Sequence, residues 1–360
     1  MTWSCRKAYV RGSGFGIPHS SPPGGGGGGP SLVHRFHKHE VASSSGSERQ
    51  VPEKMMRMHR ARGPRPTMLA IAGDSAAGKT TLARGIVRAL GADRSTSLCV
   101  DDYHRYDRAE RKALPFTALH PDCNYMQVME QHLQLLAMGE PVLKPVYDHA
   151  TGLLARPRLV EPREVVIAEG LLPLHTRLSR ACFDVTVYVD PGEQIRREWK
   201  VRRDTAERGY TREQVLAELA RREPESESFI RRQRREADIT VSFGPIDGRE
   251  DPPGTPLSAT LLLRPTIRHP NFAKLIAEVP PSVAHLKLMR DADGSPVDAL
   301  HIHGYAPEAE AEVLAKAIWA SLGVDQALPS CLGVIGPSAR SEPLRLAQLL
   351  LLYHIVRDIA

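Results

Sequence analysis

The chain has 360 residues, 41% apolar and 25% charged, which excludes a disordered polyampholyte and leaves ample material for a buried core. Its formal charge of +6 is concentrated in the first 66 residues, with 11 Lys/Arg against 3 Glu, while residues 67–360 carry 37 Lys/Arg against 39 Asp/Glu. The body is near neutral, so the charge gives no reason to expect a nucleic-acid partner. The five cysteines (Cys5, Cys99, Cys123, Cys182, Cys331) have no CxxC or metal-ligand spacing, and the longest apolar run, Leu346 to Val356, falls short of a membrane span. A soluble protein in a reducing compartment is expected.

In chain order, residues 1–66 come first, with "SSPPGGGGGGP" and "VASSSGSERQ", too rich in Gly, Pro and Ser to offset their backbone entropy by burial. They are expected to be disordered. Acidic residues are missing before Glu40, a pattern shared with organelle transit peptides. A start placed upstream of Met55, Met56 or Met58 and a genuine tail are the other two readings.

Residues 67–86, "TMLAIAGDSAAGKTTLARGI", pass from an apolar strand through "GDSAAGKT" into a helical pattern that stops at Gly91. The spacing is G-x-x-x-x-G-K-[ST], and the strand before and helix after are the context it requires. Such a turn points backbone N–H groups inward around phosphates. Gly73, Asp74, Ser75, Ala76, Ala77, Gly78, Lys79, Thr80 and Thr81 are therefore the expected nucleotide cradle, with Lys79 on the β/γ-phosphates and Thr80 on Mg²⁺. The fold class is α/β: a P-loop NTPase-type core with a mainly parallel sheet flanked by helices.

Three further segments bear on what the γ-phosphate is given to. "STSLCVDDYHRYDRAERK" ends a strand at Asp101 and Asp102, with His104 and Arg108 following, where open parallel sheets bind ligands. A carboxylate there can take a hydroxyl proton and Arg108 can pair with an anion; a surface loop with internal ion pairs is the alternative. "EVVIAEGLLPL" is a buried strand ending at Glu169, a position suited to Mg²⁺ opposite Thr80. "VDPGEQIRREWKVRRDTAERGY" reads as a helix opened by an Asp190–Glu193 capping box and closed by Gly209. Ile195, Trp199 and Ala206 mark its apolar side. Lys200, Arg203, Asp204, Glu207 and Arg208 form either a solvated ladder or a cationic wall across the site.

Together, "DDYHRYDR", "KPVYDHATG", "AEGLLPL" and "RRDTAERG" resemble the phosphoribulokinases, within the phosphoribulokinase/uridine kinase family of P-loop kinases, from about Thr67 to Phe243. The resemblance implies ATP and Mg²⁺ handled by Lys79, Thr80 and Glu169, with Asp101 as general base. It implies a sugar phosphate contacted by His104, Arg108, Tyr147, His149 and Arg208. Lys200, Arg203 and Asp204 would lie near the transferring phosphoryl group. The implied reaction is phosphorylation of D-ribulose 5-phosphate to ribulose 1,5-bisphosphate, the carbon-fixation acceptor of the Calvin cycle. It also implies a homo-oligomer, in the cytoplasm if bacterial-type or in a plastid if residues 1–54 are a transit peptide. Plant-type relatives carry a regulatory P-loop cysteine where Ala76 and Ala77 stand here, so thioredoxin-type control through it is not expected. Alternatives are a uridine/cytidine kinase, a kinase of another phosphorylated metabolite, or a nucleotide-binding assembly partner without catalysis. Uridine kinases have a "DSFY"-type motif after this strand, and a neutral nucleoside offers Arg108 and Arg208 no anion.

The remainder divides into the end of a core over residues 67–245 and a smaller α+β region over 246–360 that extends its sheet and serves subunit contact. "RREADITVSF" is a strand and "GPIDGREDPPGTP" a link. "LSATLLLR", "AHLKLMRD" and "PVDALHIHGY" are strands, the last two a hairpin around Asp293-Gly294, with helices at 271–278 and 307–322. "SEPLRLAQLLLLYHIVRDI" is a helix apolar over most of its circumference, to be packed into protein or a partner. His301 and His303 share a strand face without an evident third ligand, which is too little for a metal site.

Overall fold

A run that is apolar at every position must be covered on both faces. β1 (Thr67–Gly73) and β6 (Val185–Val189) are buried throughout, as is β5 (Val165–Gly170). The computed structural model describes residues 65–245, 256–324, 326–336 and 339–356. The expectations for the low-complexity N-terminal segment and for most of the Pro/Gly-rich link lie outside the described residues. With β2 (Ser95–Cys99), β7 (Ile239–Gly244), β8 (Ser258–Leu263), β9 (Ala284–Arg290) and β10 (Pro296–Ile302), these strands form one sheet ordered β2-β5-β1-β6-β7-β8-β10-β9. From β2 to β7 the pairing is parallel, and from β7 onward antiparallel. The α/β class and the sheet extension by the C-terminal region are as read from the sequence.

Successive residues of a strand face opposite ways, so each central strand feeds two cores. Leu69, Ile71, Val165, Ile167, Val185 and Val187 pack with Leu82 and Ile86 of α1 (Lys79–Leu90). Met68, Val166 and Ala168 pack on the other face with Met129, Leu133 and Leu136 of α2 (Met126–Ala137). Helix α1 stops at Gly91, whose φ of 87° a side chain would disfavour. A two-stranded sheet, β3 (Val142–Asp148) with β4 (Leu153–Val160), stands apart, and its register shifts between Lys144 and Val146, around Pro145, which has no N–H to donate.

Beyond β4 the helices among the described residues are α3 (Arg177–Arg180), α4 (Glu193–Arg208), α5 (Arg212–Glu225), α6 (Phe272–Ile276), α7 (Glu308–Ser321) and α8 (Glu342–Val356). The hairpin β9–β10 turns at Gly294, φ 83°, where expected. Helix α8 is buried from Pro343 to Ile355, so its apolar circumference is covered within the chain, against α1, α7 and β8. No helix among the described residues is long and apolar enough to cross a membrane.

Candidate active site

The residues of the glycine-rich turn adopt backbone conformations that side chains rarely tolerate. Gly73 has φ 151°, and a Cβ there would lie 2.6 Å from the Val189 carbonyl oxygen; Gly78 has φ 100°. Ala76 has φ 66°, unusual for a residue with a Cβ and typical of strain held at a functional turn. Lys79 is buried, its Nζ donating to the Asp74 carbonyl 2.9 Å away, so the ammonium is folded across its own loop. Thr80 Oγ1 donates to Glu169 Oε1 at 3.1 Å. This hydroxyl and carboxylate form an oxygen donor pair that fits Mg²⁺. Burial raises the Glu169 pKa from its ordinary value, opposed by Lys79.

Strand register brings the second carboxylate beside the first. Cys99 pairs with Glu169 and Ala72 with Gly170, so the ends of β1, β2 and β5 coincide. Asp101 and Asp102 lie one turn beyond β2, on a 3₁₀ segment Val100–Tyr103 rather than on the strand itself. Asp101 Oδ1 accepts the Leu171 N–H at 2.8 Å. Asp102 is committed elsewhere: Lys144 is its ion-pair partner and the Tyr147 N–H donates to its Oδ1 at 3.2 Å. That division leaves Asp101 as the less encumbered carboxylate of the pair.

The residues expected to meet the acceptor converge, though not all on an open surface. His104 is buried, 4% exposed, with its Nδ1 2.7 Å from Asn124 Oδ1 and its ring edge-on to Tyr147. Burial lowers its pKa to about 4, so it is neutral at physiological pH. Tyr147 is buried as well, and Arg111 both donates to its hydroxyl and stacks over its ring at 4.8 Å. His149 is exposed at the β3–β4 turn, and Arg108 holds that turn by donating from Nη2 to the His149 carbonyl at 2.6 Å. His104 and Tyr147 thus form the floor and His149, Arg108 and Arg208 the rim.

Helix α4 differs from expectation in two ways. The capping box is absent: Gly192 is the N-cap, and the Asp190 carboxylate accepts from Arg234 at 2.8 Å instead. The buried stripe is Arg196, Lys200 and Asp204, while Ala206 is exposed. The charged side turns inward because the phosphate loop lies beneath it. Arg196 Nη1 donates to the Ser75 carbonyl at 3.2 Å, and Arg203 Nη2 reaches Ser75 Oγ at 3.4 Å. Asp204 accepts from Lys200 at 2.8 Å and Arg203 at 2.9 Å, with Arg208 at 3.4 Å. This is a cationic wall, buried at Arg196 and Lys200 and more open at Arg203 and Arg208, with one carboxylate to organise it, and burial lowers the Lys200 pKa to about 8.

Sequence reasoning does not reach several supporting residues. Lys144 and Gly170 lie inside quoted motifs but have no role assigned there. Arg111 and Arg196 likewise lie inside quoted segments without a role, and Asn124 carries no sequence signal. Nor does Ser226, which donates to Asp74 from a π-helical turn, Ser226–Ile230, following Pro224 at the end of α5. In the C-terminal region the structure adds His285 to His301 and His303: the first two rings stack at 4.7 Å, and His285 Nδ1 lies 3.0 Å from His303 Nε2.

A family model described as the phosphoribulokinase/uridine kinase family matches residues 68–247. A phosphoribulokinase from Synechocystis is 40% identical over 187 residues, 52% of this chain and 56% of that protein. A uridine kinase from Chloroflexus aurantiacus is 33% identical over 184 residues, 50% of this chain and 88% of that protein. A phosphoribulokinase structure from Rhodobacter spheroides superposes with a TM-score of 0.52 over 72% of this chain and 96% of that one; at 18% identity it speaks to the fold alone. The chain spans about half the length of the curated phosphoribulokinases it matches. With half of its length matched by the family model, the chain belongs to the phosphoribulokinase/uridine kinase family.

Proposed function

We propose that this chain is a phosphoribulokinase, transferring the γ-phosphoryl group of ATP to a hydroxyl of D-ribulose 5-phosphate to give ribulose 1,5-bisphosphate. The observation that carries this reading is the acceptor side: Asp101 lies beside Glu169 and the phosphate loop, facing a rim that holds Arg108, Arg208 and His149. Two arginines at that rim suit an acceptor that already bears a phosphate. The similarity to the Synechocystis protein named phosphoribulokinase supports the same choice.

In this mechanism Asp101 accepts the proton of the attacking hydroxyl, positioned by the Leu171 N–H. Lys79 leaves the Asp74 carbonyl for the β/γ-phosphates, and Lys200 and Arg203, oriented by Asp204, offset the charge that develops on the transferring group. Mg²⁺, when held by Thr80 and Glu169, supplies further neutralisation of the phosphates. The turn that carries His149 closes the acceptor side over the buried pair His104 and Tyr147. A homo-oligomeric assembly in the cytoplasm is part of the proposal.

A second reading, a uridine kinase, is favoured by one observation: the chain covers 88% of the Chloroflexus protein of that name. An ADP-release assay with MgATP, offering ribulose 5-phosphate and uridine separately, decides between them. Turnover with the sugar phosphate alone is expected, and turnover with uridine instead would overturn the acceptor assignment.

A further inference from the structure

Cys99 stands out in the sequence only as the thiol nearest the phosphate loop. The fold gives it neighbours. It ends β2, two residues before Asp101, and its sulfur, an Asp102 carboxylate oxygen and a His149 ring nitrogen lie within 4.8 Å of one another. Thiolate, carboxylate and imidazole are the three donor types that Zn²⁺ accepts in tetrahedral sites, whereas Mg²⁺ takes oxygen and avoids thiolate. Asp101 and Glu169 stand next to the trio and add negative charge without serving as ligands, so the locality attracts a cation.

We propose that Cys99, Asp102 and His149 form a binding site for a thiophilic divalent cation, Zn²⁺ above all, whose occupation closes the acceptor side of the active site. Tetrahedral bonds of about 2.0–2.3 Å place ligand atoms roughly 3.5 Å apart, so the trio has to contract by about 1 Å. The exposed member supplies that movement: His149 is tied through its backbone carbonyl to Arg108 but its ring stands at the surface. Asp102 retains free lone pairs beside its contacts with Lys144 and the Tyr147 N–H. The thiol proton leaves to solvent as the Zn–S bond forms, and no electrons are exchanged. A filled site pins the β3–β4 turn against the end of β2, where the acceptor has to enter to reach Asp101.

The test uses the full chain and has two readouts. Co²⁺ added in place of Zn²⁺ should produce a thiolate-to-cobalt absorption band in the near ultraviolet, without ATP or acceptor present. That band should disappear in Cys99→Ala and in Cys99→Ser, two variants expected to retain turnover with Mg²⁺. Zn²⁺ should inhibit the wild type by raising KM for the acceptor, relieved by a zinc-selective chelator. Both variants should need at least about tenfold more Zn²⁺, the lower end of what perturbing a ligand's supporting partners alone costs. A cobalt band unchanged by either substitution, no band in the wild type, or equal zinc sensitivity in all three proteins would overturn the assignment. Because the cobalt band needs no acceptor, its outcome is independent of which acceptor the enzyme uses.

Discussion

The backbone of Gly170 and the carboxylate of Asp101 occupy space that a side chain would dispute. A Cβ on Gly170, at φ 156°, would lie 2.6 Å from Asp101 Oδ1 and 2.4 Å from Val100 Cγ2. The glycine after Glu169 therefore sets where the carboxylate just beyond the neighbouring strand can rest, and it puts Asp101 against the residue next to Glu169.

Gly170→Ala should displace Asp101 while leaving its chemistry in place. A misplacement on the order of 1 Å at a catalytic group costs roughly 10²-fold in rate, so kcat should fall by about that factor with KM for ATP little changed. Steady-state kinetics on the variant checks this; an unaltered kcat would mean that Asp101 tolerates the shift.

Asp101→Asn keeps the shape and the Leu171 contact but removes the proposed general base. We expect kcat to drop by roughly 10²–10⁴-fold with the dissociation constant for ATP unchanged. Nucleotide binding measured by calorimetry, alongside turnover, separates this result from a folding defect.

His104 makes the stability of the fold depend on acid. Its folded pKa of about 4 lies below the ordinary value of 6.5, so between those values the unfolded chain binds more protons. Its contribution is fully present above pH 6.5 and is lost as the pH falls toward 4, and it amounts to at most about 3 kcal/mol. Urea denaturation at about pH 6.5 and about pH 4.5, inside that window, should show a steeper loss in the wild type than in His104→Gln, because the glutamine cannot be protonated there. Equal slopes would place the acid sensitivity in other histidines, such as His132 or His175, whose pKa values burial also lowers.

Gln348 of α8 is keyed to the helix that begins at the phosphate loop. Its Nε2 donates to the Thr81 and Leu82 carbonyls, each at 3.2 Å, and its Oε1 accepts the Gly333 N–H at 2.8 Å. A Cβ on Gly85 would lie 2.0 Å from Nε2. Gly85→Ala alone should destabilise by about 1–3 kcal/mol through overpacking. In a Gln348→Ala background the same change should stabilise by about 0.5–1 kcal/mol, the helix preference of Ala over Gly. Thermal denaturation of the four proteins of this cycle shows whether the sign reverses; no reversal would mean that the amide does not occupy the space over Gly85.

Local order and spacing carry the phosphate loop and the strands. "TMLAIA" and "VVIA" read as strands of a sheet covered on both faces, and "GDSAAGKT" between a strand and a helix reads as a phosphate loop. Asp101, Glu169, Lys79 and Thr80 are legible for that reason, since each follows a strand or opens a helix at a set offset. For helix α4 the apolar pattern finds only part of the buried side: Trp199 packs against the core, while Ala206 is exposed. Hydrophobic periodicity assumes that a helix buries against apolar neighbours, and here the neighbour is a phosphate loop with exposed carbonyls, so Arg196, Lys200 and Asp204 turn inward. The same limit applies to Asn124 beneath His104, to Lys144 on Asp102, and to His285 beside His301 and His303. Each partner lies far along the chain or on a separate strand, and its position follows from strand order and register. The order of residues along the chain thus suffices to name the elements and the groups that end them at the phosphate site. Which charges are buried against which follows from the folded arrangement, because it depends on contacts between segments that no local pattern encodes.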